Sequence, residues 1–267
     1  SAATPVPARS PTRMTEPLLG LRALPPHLST VLLSAGGFTA LHLVLLPTAF
    51  STALGARWTT LPPRSRTDRC ATARATALTH ALLVVPLATC ALGSKELNTD
   101  RVFGWSVDGR AGAACAVAAG YFIWDTVVSA VQFRDGAFVL HGALCGAIYL
   151  YAFRPFLAYY AVRFLLWELS TPFLHIHWFL DKLGHTGSSF QRANGAMLLC
   201  TFAGARLVYG PYMSYHFLQS IFAARAHIHP AIFIAYVTGN VLLNTLNFFW
   251  FYKMIVALHK RFKREKK

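Results

Sequence analysis

The 267-residue chain is 55% hydrophobic, has ten acidic side chains against 25 lysines and arginines, and carries a net charge of +15. So much apolar sequence with so little charge excludes a disordered chain and an ordinary water-soluble domain, and points to a membrane protein. The basic excess sits mainly in loops and tails, where topology and anionic headgroups account for it, so no nucleic-acid partner is expected.

Residues 1–26 are rich in proline and arginine and read as a flexible or surface-lying tail. The chain opens on Ser1 rather than Met, so an earlier segment is expected to be missing, and no cleavable signal is recognisable. The first apolar span is expected over Leu28–Leu54, with His42 inside it, followed by a basic loop containing Arg57, Arg64, Arg66 and Arg69. The second runs over Ala71–Leu92 and holds His80 and Pro86; Gly93–Arg110 is a polar loop with a turn-prone Asp108-Gly109. The third, Ala111–Phe133, carries Tyr121, Trp124 and Asp125, and Arg134-Asp135-Gly136 turns the chain into a short fourth span, Ala137–Phe153, with His141. The fifth, Tyr159–Asp181, precedes a polar loop over Lys182–Asn194, and Gly195–Leu218 and Pro230–Leu258 complete the set before a basic tail, 261–267. The reading is an all-α polytopic membrane protein of about seven spans, with residues 27–65 forming the first span and its loop. An odd number of spans puts the termini on opposite sides, and the loop arginines place the C-terminus in the cytosol; the three arginines of the N-terminal tail disagree.

The fifth span is the most informative. It carries Arg163, Glu168, His175 and His177, and a charge at the centre of a spanning helix costs about 2.5–3.5 kcal/mol unless it faces protein or water. At 100° per residue Glu168, Thr171 and His175 share one face and Arg163 and His177 the other, with a kink expected at Pro172. On the seventh span Tyr236, Asn240, Asn244 and Asn247 form one polar stripe, which must face the interior. Arg206 lies near the middle of the sixth.

Bland readings compete at each position. Asp125 is a candidate packing partner of Arg163 or Arg206, Arg206 could instead neutralise Glu168, the Asn row suits interhelical hydrogen bonds, and His42 and His80 read as satisfied structural histidines. His177, beside Trp178, reads as interfacial. The cysteines Cys70, Cys90, Cys115, Cys145 and Cys200 match no zinc spacing and read as buried, reduced, small apolar residues; no metal is expected. His141 and Glu168 are the candidates for catalysis, because an imidazole and a carboxylate in a dry interior can trade a proton.

Five motifs in order, GYFIWD (Gly120–Asp125), FVLHG (Phe138–Gly142), ELSTPF (Glu168–Phe173), WFLDKLG (Trp178–Gly184) and the later Arg206, together resemble a TLC domain (TRAM, LAG1 and CLN8 homology) over residues 66–260. The nearest resemblance is to the transmembrane-56-like branch of TLC-domain-containing proteins. It implies a barrel-like bundle of six helices around a lipid-sized tunnel, with one extra N-terminal helix, in the endoplasmic reticulum or a related membrane. The ceramide synthases of this family move an acyl chain from acyl-CoA to a sphingoid base and need a His-His pair and two aspartates. This sequence has His141 followed by Gly142, and Glu168 and Thr171 at the aspartate positions.

Three functions follow as expectations. The first is a lipid-homeostasis protein holding an acyl chain or lipid in a cavity lined or braced by Tyr121, Asp125, Thr171, His175, Arg206, Tyr236, Asn240 and Asn244. The second is an acyltransferase with acyl-CoA as co-substrate and no other cofactor. The third is a carrier, suggested by Pro172 and the buried ionisable groups. The expected partners are membrane lipids or acyl chains, with a homodimer left open.

Overall fold

The computed structural model describes residues 20–54, 66–106 and 109–265. The tail before residue 20, the basic loop 55–65, Asp108 of the expected turn and residues 266–267 lie outside the described residues, as do the side chains of 260–265 in the basic tail. Among the described residues there is no strand.

Seven helical rods run through the described residues. Rod α1 joins Leu28–Ala40, a π-helical turn at Leu41–Leu45 and Leu46–Leu54; α2 is Arg66–Ala91; α3 joins Arg110–Val128 to a π-helical end, Ser129–Phe133. Rod α4 is Gly136–Tyr151. Rod α5 has three pieces, Ala158–Phe164, the 3-10 stretch Leu165–Ser170 and Thr171–Lys182; α6 joins Ser189–Phe202, a π-helical turn Ala203–Tyr209 and Gly210–Ala223; α7 is Pro230–Glu265. Four segments, Pro25–Ala53, Cys70–Ala91, Arg110–Phe133 and Pro230–His259, are long and apolar enough to cross a membrane, and Gly136–Tyr151 is a shorter apolar helix. The chain is therefore an all-α, polytopic membrane protein.

Rod α3 is the axis of packing, and its sequence says why. Ala111, Gly112, Ala114, Ala116, Ala118, Ala119 and Gly120 are all buried, and small side chains let helix backbones approach closely where no hydrophobic effect drives association. At Gly120 a Cβ would lie 2.5 Å from the Ser34 Cβ and 2.6 Å from the Val31 carbonyl oxygen, so only glycine allows α1 this close. The Ser34 hydroxyl seals the contact by donating to the Val117 carbonyl at 2.8 Å. Arg134, in the left-handed region at φ 52°, turns α3 back into α4, and the Asp135 carboxylate caps α4 by accepting from Ala137 N at 3.0 Å.

Several boundaries differ from the sequence reading. The polar stretch after α2 is not all loop: Lys95–Thr99 is a short helix with Leu97 buried. Rod α6 begins six residues early, at Ser189, because the Ser188 hydroxyl caps it by accepting from Gln191 N at 3.1 Å. The cysteines also divide. Cys115 and Cys145 are buried, whereas Cys90 and Cys200 are exposed; all are free thiols.

Candidate functional site

Rod α5 changes pitch in its middle, and the chemistry follows from that. Pro172 has no N–H, and Thr171 N bonds to the Glu168 carbonyl in 3-10 fashion. The Trp167 carbonyl accepts from the Ser170 hydroxyl at 3.4 Å and from Arg206 Nε at 2.9 Å. The same Nε reaches the Ser170 hydroxyl at 3.2 Å, Nη1 reaches Asn247 Oδ1 at 3.2 Å, and Nη2 reaches Thr171 Oγ1 at 3.3 Å. Nη2 also lies 3.5 Å from Glu168 Oε1. Arg206 sits on the π-helical turn of α6, a widened turn of the sort often found at functional positions. One guanidinium thus ties α5, α6 and α7 together, with both members of the ion pair buried.

This assignment corrects the expectation that Asp125 pairs with an arginine. Arg163, also buried, donates to the Tyr159 carbonyl and Asn98 Oδ1, both at 3.0 Å, and lies 3.4 Å from the centre of the Tyr159 ring. Glu168, Thr171 and His175 share a buried face. Asp125 instead sits against Gly142 on α4, where a Cβ would meet Asp125 Oδ2 at 3.0 Å and Thr126 Oγ1 at 2.7 Å.

The Asn row acts mainly between helices. Asn240 and Asn244 both donate to the Ser214 hydroxyl of α6, at 3.1 and 2.9 Å, while Asn247 accepts from Arg206. Tyr121 belongs to an aromatic nest, stacked on His80 with ring centres 3.7 Å apart and flanked by Phe38. His42 is paired with the Gln132 side chain and packs edge-on to Trp124. His80 departs from the expected satisfied histidine: it is fully buried and neither ring nitrogen has a hydrogen-bond partner.

Between α4, α5, α6 and α7 lies a small pocket that is partly open at its mouth. Its wall is apolar and aromatic: Cys145, Ile148 and Tyr149 from α4; Tyr160, Ala161, Phe164 and Trp167 from α5; Phe217 from α6; Tyr236 and Leu243 from α7. Asn240 lies in the wall with Tyr236, whose hydroxyl is buried without a partner. Asp125, Tyr121, Thr171, His175, Arg206, Asn244, His141 and Glu168 stand outside this wall. His141 and Glu168 are not brought into contact. The imidazole lies edge-on to Phe122 and Trp250, and its nearest polar neighbour is the Cys145 thiol, at 3.8 Å from Nδ1.

The chain matches the TLC-domain family model over residues 71–256. It belongs to the TLC-domain family. An uncharacterized TLC domain-containing protein of Schizosaccharomyces pombe is 36% identical over 253 residues, covering 93% of this chain and 84% of the relative. TLC domain-containing protein 4 of Xenopus tropicalis is 31% identical over 196 residues, 70% of this chain and 74% of the relative. Topoisomerase I damage affected protein 4 of Saccharomyces cerevisiae is 29% identical over 155 residues, 55% of this chain and 56% of the relative. These relatives set this TLC-domain protein in the branch of TLC domain-containing protein 4, apart from the ceramide synthases. The geometry gives that distance a physical form. Where a synthase carries its second histidine, Gly142 lets α4 close on the Asp125–Thr126 turn of α3, leaving no room for a larger side chain.

Proposed function

We propose that this TLC-domain protein acts in lipid homeostasis by holding the acyl chain of a membrane lipid between α4, α5, α6 and α7, and so influences membrane lipid composition. The carrying observation is the cavity, whose lining residues are mostly apolar and aromatic, with Asn240, three tyrosines, Trp167 and Cys145 bringing its polar atoms. A mostly apolar wall with a few polar groups suits a hydrocarbon chain with a polar end. Arg206 and Glu168 hold three of the four rods in place from outside the wall; in this reading they are framework, not substrate contacts. The synthase reaction is less favoured, since the second histidine position is a glycine at a helix contact and Thr171 has no carboxylate.

Filling the cavity tests the reading. Ala161 is buried in the wall, and Ala161→Trp adds a bulky side chain there. The protein purified in nanodiscs is expected to carry native lipid detectable by native mass spectrometry, and Ala161→Trp is expected to lose most of it. Equal lipid retention by a folded Ala161→Trp variant would place the lipid elsewhere.

We further propose an endoplasmic-reticulum location with the C-terminus in the cytosol, supported by the loop arginines and the basic tail. A C-terminal epitope should be reached by antibody once the plasma membrane alone is permeabilised; staining only after full permeabilisation would reverse the orientation.

A further inference from the structure

We propose that Arg101, backed by Arg163, holds the phosphate headgroup of a membrane phospholipid where α5 begins. This names the class of lipid whose chain the pocket takes, and so rests in part on that reading. Two cations share one aromatic ring there. The Arg163 guanidinium lies 3.4 Å from the centre of the Tyr159 ring, and that of Arg101 lies 5.1 Å from it. Arg163 is buried and Arg101 is exposed, so Arg101 can meet a ligand while Arg163 adds its charge from inside the bundle.

No acid answers these charges. Among the described residues neither arginine has a carboxylate within ion-pair distance. The two nearby acids of the preceding loop serve their own backbone and neighbours. Glu96 accepts from the Ser94 hydroxyl at 2.8 Å, and Asp100 Oδ1 accepts from Val102 N and Phe103 N at 3.1 and 3.0 Å. Arg163 donates only to neutral oxygens, those of the Tyr159 and Leu92 carbonyls and Asn98 Oδ1, which orient a guanidinium without cancelling its charge. Two uncompensated cations on one ring repel, and a bound anion relieves both. A phosphate matches the guanidinium fork of Arg101 through two parallel N–H bonds. Depth selects a lipid as its carrier: Arg163 Nη2 is 3.5 Å from the Leu92 carbonyl, just past the end of the Cys70–Ala91 span, at headgroup level. Tyr160 joins this site to the pocket, since it stands beside Arg101, lines the pocket wall and is tied to Ser220 of α6 at 2.6 Å.

The test offers the full chain, purified in detergent micelles, equal amounts of dioleoyl phosphatidylglycerol and dioleoylglycerol. Their chains are identical, so native mass spectrometry of the complexes reads the headgroup alone. The wild-type protein is expected to prefer the phosphate-bearing lipid. Arg101→Gln should cut that preference about fivefold, the worth of one arginine beside an anionic headgroup, while binding as much lipid in total. Arg101→Glu gives Arg163 a carboxylate instead; it should abolish the preference and raise the unfolding temperature in lipid-free micelles. If Arg101→Glu does not fold, Arg101→Gln decides alone. No preference in the wild type, or one that the variants keep, would overturn the headgroup site and leave the pocket reading standing. A wild-type protein that binds neither lipid would overturn both. Inorganic phosphate that displaces the phosphatidylglycerol and raises the unfolding temperature as much would make this a site for a soluble anion, and would overturn the lipid assignment.

Discussion

Replacing Arg206 by methionine is expected to destabilise the protein by about 3–5 kcal/mol, the range for breaking a buried ion pair from one side. The loss reaches beyond Glu168. The guanidinium also donates to the Trp167 carbonyl, the hydroxyls of Ser170 and Thr171, and Asn247 Oδ1, so a methionine removes donors from acceptors on both α5 and α7. In detergent the variant should unfold at much lower temperature or fail to purify as a single species. Adding Glu168→Met should restore part of the loss, because removing both charges spares the cost of an unpaired carboxylate. An unchanged unfolding temperature for Arg206→Met would show that the guanidinium does not hold the rods together.

The second large effect is expected from Gly142→His, which rewrites the motif to the synthase pattern. A Cβ at this position already lies 2.7 Å from Thr126 Oγ1 and 3.0 Å from Asp125 Oδ2, and Thr126 Oγ1 is fixed by its own bond to the Phe122 carbonyl at 2.6 Å. An imidazole must push α4 away from α3, at a cost of about 1–3 kcal/mol or more. The variant should be less stable and should gain no N-acylation of sphingoid bases, since Thr171 remains without a carboxylate. A stable Gly142→His protein that forms ceramide would mean that the two helices adapt and that the synthase chemistry is latent here.

The all-α, polytopic architecture was legible because a membrane imposes long apolar runs, and four of those runs are helices long and apolar enough to cross one. The buried face of Glu168, Thr171 and His175 was legible from period alone. Partner choice stayed open between Asp125 and Glu168 for Arg206. Glu168 meets it, because Pro172 and the 3-10 stretch aim Glu168 and the Trp167 carbonyl at a π-helical turn on another rod. The polar stripe of α7 was read correctly as inward-facing, yet only Tyr236 and Asn240 of it line the cavity, while Asn244 and Asn247 serve Ser214 and Arg206. Cys145 and His80 show the opposite limit: nothing in an apolar run distinguishes a thiol at a cavity wall, or a histidine stacked without hydrogen bonds, from ordinary core.

The most direct test of the acyl-chain site is photo-crosslinking in nanodiscs with a phospholipid bearing a diazirine near the end of one acyl chain, followed by peptide mapping. The account predicts adducts on the cavity wall, at residues such as Leu157, Ala161, Phe217 and Leu243, competed by unlabelled lipid. Adducts confined to outward side chains such as Leu33, Val131 and Phe249 would mean that lipid only bathes the outside of the bundle, and would contradict it.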